Sequence, residues 1–268
     1  MMYVPFLSFL CLYACYSVAN FNEDSVNDWE LLERLAFRYG TDKSKDDHNY
    51  VTTYANIFHG RTNLIRNVTE IGVSVGQSIQ MWHEYFPNAI IHGVDIQYLV
   101  DVVENLLKLP RVVLMQCDST SESMTNELGI EVESMDVIID DGGMHERDKQ
   151  ELTLRNFWKF LKPGGFYIIE DIDAQSGGLD YQERPELLHP FTNEVLLNNH
   201  VSFIDSAVGH RAWEEWKRRS GEYWVVNRRV HNSYMMVIRK RVGPVPDIKI
   251  NFGEVAMKPE KIIHVVVP

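Results

Sequence analysis

From Val68 onward the chain alternates short apolar runs with stretches whose apolar residues recur at helical spacing, the pattern of parallel strands joined by crossover helices. The runs "VTEIGV", "AIIHGVD", "RVVLMQ", "MDVIID" and "GFYIIED" read as strands. Between them, Ile79, Trp82, Tyr85 and Phe86 line one helix face, and Leu154, Phe157, Trp158 and Leu161 line another. Upstream, "SVNDWELLERLAFRYG" sets Trp29, Leu32, Leu35 and Ala36 on one stripe, so an amphipathic helix is predicted over 25–38 with Gly40 as its stop. "KPGG", Lys162 to Gly165, reads as the break between the last crossover helix and its strand, because Pro and Gly stand where a helix does not continue. Near the carboxyl end, "SYMMVIRK" is strand-like without a crossover helix before it. "WVVNRRVHN" looks like its hairpin partner, which makes the last strand antiparallel. The sum is an α/β chain, a doubly wound sheet of about seven strands, mostly parallel, with helices on both faces. No internal repeat, low-complexity tract or Pro-rich linker interrupts it, so 20–268 reads as one domain.

Length changes this picture little, since 268 residues with 45% hydrophobic content bury one large core. Charge excludes more. A formal net charge of -12, with only short basic runs near Lys217 and Lys240, argues against nucleic acid as a partner, because neutralising phosphates needs clustered Lys and Arg. The first 19 residues carry no charge, and the small residues Ser17, Val18 and Ala19 precede the acidic "NFNED". Residues 1–19 therefore read as a signal peptide cleaved near Ala19, with an uncleaved anchor as the alternative because no Lys or Arg opens the segment. The expected location is the secretory pathway or outside the cell, with membrane contact only through such an anchor. Cys11 and Cys15 lie in that leader, so Cys117 stands alone in the mature chain and no internal disulfide supports the fold.

The segment "EIGVSVGQSIQMWHEYFPNAIIHGVDI" carries the first chemistry. A strand bearing Glu70 turns through Gly72 and Gly76 into a helix, and the next strand closes on Asp95. Glycines let a ligand approach the turn backbone, and an acid ending the second strand takes both hydroxyls of a ribose. A dinucleotide needs two glycines one residue apart, so that pyrophosphate sits on the helix amino end; here three residues separate Gly72 from Gly76, which disfavours NAD. S-adenosylmethionine carries no phosphate, and its ammonium and ribose suit a looser turn with acids at strand ends. Asp118, after the third strand, stands where a carboxylate reaches an adenine amino group. Farther on, "VIIDDGGMHERD" crowds two carboxylates, two glycines and His145 where the fourth strand stops, and Glu170 and Asp171 follow the fifth.

The segments "YGTDKSKDDHNYVTTYANIF", "EIGVSVGQSIQMWHEYFPNAIIHGVDI", "IIDDGGMHERDKQ" and "FWKFLKPGGFYIIEDID", in this order, resemble the class I S-adenosylmethionine-dependent methyltransferases of the metal-dependent macrolide-sugar kind. The likeness spans residues 36–173. It implies a Rossmann-like fold, S-adenosylmethionine as methyl donor and a Mg²⁺ ion. Matched motif by motif, it implies that Asp141, Glu170 and Asp171 hold the ion and that His145 is the general base. Lys43, Glu70, Gly72, Gly76, Asp95, Ile96, Asp118 and Asp140 would surround the cofactor, and His48 and Tyr50 would line the substrate side. The chemistry is consistent: carboxylate oxygens ligate hard cations, and a bound ion lowers the pKa of a coordinated hydroxyl so that an imidazole takes its proton near neutral pH. The family reads D-D-G-x-H where this chain has "DDGGMH", one residue longer, which leaves open whether Asp140 or Asp141 faces the metal. The polar stretch 174–200 reads as a lid over the acceptor.

The expected activity is Mg²⁺-assisted O-methylation of a hydroxyl on a sugar or related natural product, either a small molecule or a glycan. Two alternatives stand beside it, a metal-independent methyltransferase for another acceptor and a secreted, non-catalytic binding module on the same fold. The sequence leaves homo-oligomerisation open.

Overall fold

A computed structural model describes residues 23–142, 145–172, 181–182, 184–206 and 233–244. The expected leader, the "WVVNRRVHN" segment and residues 174–180 of the expected lid lie outside the described residues. Among the described residues no helix is long and apolar enough to cross a membrane.

The apolar runs form β1 (Asn67–Ile71), β2 (Ile90–Asp95), β3 (Val112–Gln116), β4 (Met135–Asp140) and β5 (Leu161–Ile169), which pair with one another in parallel. With β6 (His200–Asp205) and β7 (Tyr234–Arg239) they make a seven-stranded sheet of order β3-β2-β1-β4-β5-β7-β6. β7 runs antiparallel to both β5 and β6. The antiparallel strand is therefore the expected "SYMMVIRK", and its described edge partner is "HVSFID". The strand order reverses between β1 and β4, and at such a switch point the loops after neighbouring strands diverge and open a crevice.

Two cores sandwich the sheet, and side-chain alternation along each strand assigns its residues to one or the other. Val68, Val137, Ile139 and Ile168 face α1 (Glu23–Tyr39), α2 (Tyr50–Phe58), α3 (Gln77–Tyr85) and α4 (Val100–Leu106). Ile71, Ile138, Tyr167 and Ile169 face the side that carries α5 (Glu122–Asn126), α6 (Arg147–Phe157) and α7 (Pro190–Asn198). The stripe predicted for α1 is buried at Leu32, Leu35 and Ala36, and Trp29 Nε1 donates to Thr52 Oγ1 at 3.0 Å, tying α1 to α2. Ile79, Trp82 and Tyr85 bury the face of α3, with the Trp82 ring edge-on to Tyr54 at 4.8 Å. Each such fully buried side chain contributes about 1.5–3 kcal/mol, so this seam holds the residues between α1 and β1 firmly.

One expectation is corrected. "KPGG" is not a break before β5 but a bulge inside it: Met135 pairs with Leu161 and Val137 with Phe166, so the extra residues loop out. Pro163 has no N–H to give the ladder, and Gly164 takes φ +84°, which strains any other residue. The helix itself ends at Phe157, and a short 3₁₀ turn, Trp158–Phe160, leads into the strand. The described part of the segment expected as a lid packs on the second core. Leu188 and Val195 are buried in the second core, and the His189 N–H donates to Glu151 Oε2 on α6 at 2.7 Å.

Candidate active site

A cleft opens at the carboxyl ends of β1, β2 and β3, lined by Gly72, Asp95, Ile96 and Asp118, all four expected there from the sequence. Gly72 has φ +90°, and a Cβ on it would stand 2.2 Å from the Asp141 carbonyl oxygen, so only glycine lets the turns after β1 and β4 pass. Asp95 Oδ2 accepts from the N–H groups of Val73 (2.7 Å) and Ser74 (3.1 Å), and Oδ1 accepts from Gln97 N–H (3.1 Å). The acid thus staples the glycine turn and keeps acceptor capacity on Oδ1 toward the cleft. Asp118 folds its own loop, its Oδ1 accepting from Thr120 N–H (3.0 Å) and Oγ1 (2.7 Å). Cys117, Ser119, Lys149 and Thr153 also line the cleft and were not read from the sequence. For Lys149 and Thr153 the available signal was their four-residue spacing on one face of α6. Gly76 does not line the cleft; it turns the chain at φ +80° and lies against Leu106, where a Cβ would come within 2.8 Å.

Around the edge of β1 from this cleft lies a buried acid cluster, assembled by strand parity. Glu70 shares a face with Val68, Asp141 with Val137 and Ile139, and Glu170 with Ile168, so all three project toward α1–α3. Lys43 sits among them, 1% exposed, with Nζ 2.6 Å from Asp141 Oδ2, 2.5 Å from Glu170 Oε2 and 3.7 Å from Glu70 Oε1. Burial alone would lower the Lys43 pKa, but the carboxylates of Asp141, Glu170 and Glu70 outweigh it and hold the ammonium well above its ordinary range. Glu70 further accepts from Ser78 Oγ at 2.7 Å and Trp82 Nε1 at 3.0 Å, and burial still pushes it up to about 7. Lys43 and Glu70, expected beside the cofactor, are instead sealed beneath the turn. Glu170, expected as a metal ligand, has one oxygen on Lys43 and accepts at the other from Tyr54, and it does not join the group formed by Asp141, His145 and Asp171. Tyr54 was missed, although it stands one helical turn after Tyr50 on the same face of α2.

Asp171 has a left-handed backbone, φ +47°, and Tyr50 takes hold of it twice. The Tyr50 hydroxyl donates to Asp171 Oδ1 and accepts from the Asp171 N–H at 3.2 Å. His48 stacks on the Tyr50 ring, centroids 5.2 Å apart, and its Nδ1 lies 3.1 Å from Ser233 Oγ. Burial lowers the His48 pKa, so its 3.7 Å approach to Asp171 is not an ion pair at neutral pH. His48 and Tyr50, expected to line the substrate side, are buried and support Asp171 from behind.

Asp141, His145 and Asp171 then offer one donor atom each within 4.8 Å of one another. His145, at φ +52°, holds Nε2 3.9 Å from Asp171 Oδ2, and its Nδ1 has no partner among the described residues. Burial and the nearby Asp141 charge push Asp171 up to about 8. Two carboxylate oxygens at the rim of a cluster in which Lys43 faces Glu70, Asp141, Glu170 and Asp171 fit one hard divalent ion, which is bound by one or two carboxylates with water or substrate oxygens completing its shell.

Asp140 faces the opposite way, as parity with Ile138 requires. It is 2% exposed, with Tyr167 Oη and the Gly142 N–H each 3.4 Å away and no cation beside it among the described residues, and burial pushes it up to about 8. Asp140, expected at the cofactor, is thus a neutral acid in the second core at physiological pH. Its folded pKa lies above the unfolded value, so the stability it contributes is present below about pH 4 and is lost as pH rises through about 8. Asp140→Asn, an uncharged isostere, is expected to flatten the fall in Tm between pH 5 and pH 8.5; thermal scans showing an unchanged slope would contradict this.

Residues 69–169 match the family model described as a methyltransferase domain. Among curated relatives, the 8-demethyl-8-alpha-L-rhamnosyl tetracenomycin-C 2'-O-methyltransferase of Streptomyces olivaceus is 30% identical over 150 residues, 53% of this chain and 38% of its own length. The mycinamicin VI 2''-O-methyltransferase of Micromonospora griseorubida is 29% identical over 148 residues, 53% of this chain and 36% of its own. The chain therefore spans less than two fifths of the length of these relatives. The solved structure of the MycE methyltransferase from the mycinamycin biosynthetic pathway, in complex with Mg, SAH and mycinamycin VI, superposes with a TM-score of 0.52 at 22% identity. That match covers 78% of this chain and 53% of the other, and it shows the shared fold.

Proposed function

We propose that this protein transfers the methyl group of S-adenosylmethionine to a hydroxyl of a sugar-bearing acceptor, assisted by a divalent cation such as Mg²⁺. One observation carries the reading. The turn after β4 gives Gly142 to the donor cleft and Asp141 to the acid cluster, so a sulfonium held in the first and a hydroxyl presented at the second are neighbours. Asp95 and Asp118 supply carboxylates for ribose and adenine, and Gly72 lets the donor approach the turn. Asp141 and Asp171 would hold the ion through the oxygens that Lys43 and Tyr50 leave untouched. The ion, when bound, supplies Lewis-acid stabilisation of the developing alkoxide. His145 takes the hydroxyl proton as the new O–CH₃ bond forms and the S–CH₃ bond breaks, releasing S-adenosylhomocysteine. The sugar class rests on the relatives, and a secretory placement of the acceptor rests on the leader.

A second reading has one observation in its favour: Lys43 already places a buried cation among the acids, as a metal-independent enzyme would need. Calorimetry with S-adenosylhomocysteine and methyl transfer to glycosylated macrolide or anthracycline-type acceptors with and without a chelator test both. Binding together with chelator-sensitive turnover restored by Mg²⁺ is the expected result. Turnover indifferent to the chelator would favour the metal-independent enzyme, and no cofactor binding would leave only a non-catalytic module.

A further inference from the structure

Resting on the metal-binding reading above, we infer that Tyr50 is a positioning residue for the cation: its hydroxyl fixes Asp171 so that Oδ2 stays presented beside Asp141 and His145. One phenolic oxygen serves both the main chain and the side chain of the same residue, accepting from Asp171 N–H at 3.2 Å and donating to Asp171 Oδ1. This closes a small ring around the Asp171 Cα and removes the freedom of its carboxylate to rotate. It also holds a backbone at φ +47°, a conformation that a non-glycine residue keeps only when its surroundings hold it there. From the other side Gln150 Nε2 lies 3.2 Å from the Glu170 carbonyl oxygen and 3.3 Å from that of Asp171.

The brace is itself anchored. The Tyr50 ring is 1% exposed and stacks on His48, which reaches Ser233 at the start of β7, while Ser206 Oγ lies 2.7 Å from both the His48 and Ser233 carbonyl oxygens. The pair of tyrosines on α2 supplies the internal contrast. Tyr54 grips Glu170 as Tyr50 grips Asp171, but Lys43 occupies the second oxygen of Glu170, whereas Oδ2 of Asp171 faces His145. Removing either hydroxyl leaves a phenyl ring in place; only at Tyr50 does it free a metal-facing carboxylate.

The test is Mn²⁺ binding to the full chain at fixed pH, read from the electron paramagnetic resonance of the free ion, with calorimetric S-adenosylhomocysteine affinity and thermal unfolding measured alongside. Tyr50→Phe is expected to weaken Mn²⁺ binding about 10- to 100-fold, the usual effect of losing a residue that orients a ligand, with cofactor affinity unchanged. Tyr54→Phe should change Mn²⁺ affinity by less than about threefold if orientation of a ligand is what matters. Wild-type Mn²⁺ affinity in Tyr50→Phe, or equal losses in the two variants, would overturn the inference. Asp171→Asn separates the two levels. If it loses Mn²⁺ while Tyr50→Phe does not, positioning by Tyr50 fails alone; if it binds Mn²⁺ like wild type, the metal site fails and the inference with it. Should Tyr50→Phe not fold, Ser233→Ala, which releases His48 from beneath the ring, is expected to lower Mn²⁺ affinity in the same direction, and unchanged affinity there would overturn the inference.

Discussion

Lys43→Met is expected to destabilise the protein by about 3–5 kcal/mol at pH 8, the range found when one partner of a buried ion pair is removed. Methionine fills the space of the butyl stem but leaves Glu70, Asp141 and Glu170 without the ammonium that lies within 3.7 Å of each. The loss should depend on pH in a defined direction. Burial already raises Glu170 and pushes Glu70 up to about 7 with the ammonium present, and removing it raises both further. Groups whose folded pKa exceeds the unfolded value contribute stability at low pH and lose it as pH rises through the folded pKa. The variant should therefore approach wild-type stability near pH 5 and depart from it most above pH 7. Urea unfolding at pH 5 and pH 8 checks this, and a small, pH-independent difference would show that Lys43 does not neutralise the cluster.

His145→Ala is expected to lower turnover by about 10² to 10⁴ while S-adenosylhomocysteine and Mn²⁺ still bind, the usual worth of a positioned general base. The imidazole stands at the rim of the acid cluster, with Nε2 3.9 Å from Asp171 Oδ2. Single-turnover methyl transfer measured with saturating Mn²⁺ isolates this step. Normal turnover would remove His145 from the chemistry, and loss of Mn²⁺ binding would make it a ligand of the ion.

Much of the architecture was legible because strands and helices announce themselves through local periodicity. The five parallel strands, the stripe of α1 and the antiparallel "SYMMVIRK" strand all follow from spacings within a few residues. β6 did not, because a short edge strand such as "HVSFID" alternates weakly and borders polar text. Nor did the bulge at "KPGG", since a Pro-Gly-Gly run ends a helix and loops out of a strand by the same loss of ladder hydrogen bonds. The relation of Tyr50 to Asp171, 121 residues apart, has no local signal at all.

The sequence by itself determined which chemical groups stand at the ends of the strands: Asp95 and Asp118 after β2 and β3, the acid pairs after β4 and β5, and glycine at 72. Only the tertiary structure decided what each acid does. Adjacent residues of a strand point to opposite faces, so in each acid pair the first member's role depends on which face the amino-terminal helices cover, and that is settled by packing far from the pair. Asp140 turns into the second core and stays neutral, Asp141 turns toward Lys43, Glu170 is consumed by Lys43 and Tyr54, and Asp171 escapes the alternation through its left-handed backbone. Burial and the buried ammonium of Lys43, both products of the whole fold, separate carboxylates that are chemically alike in the sequence.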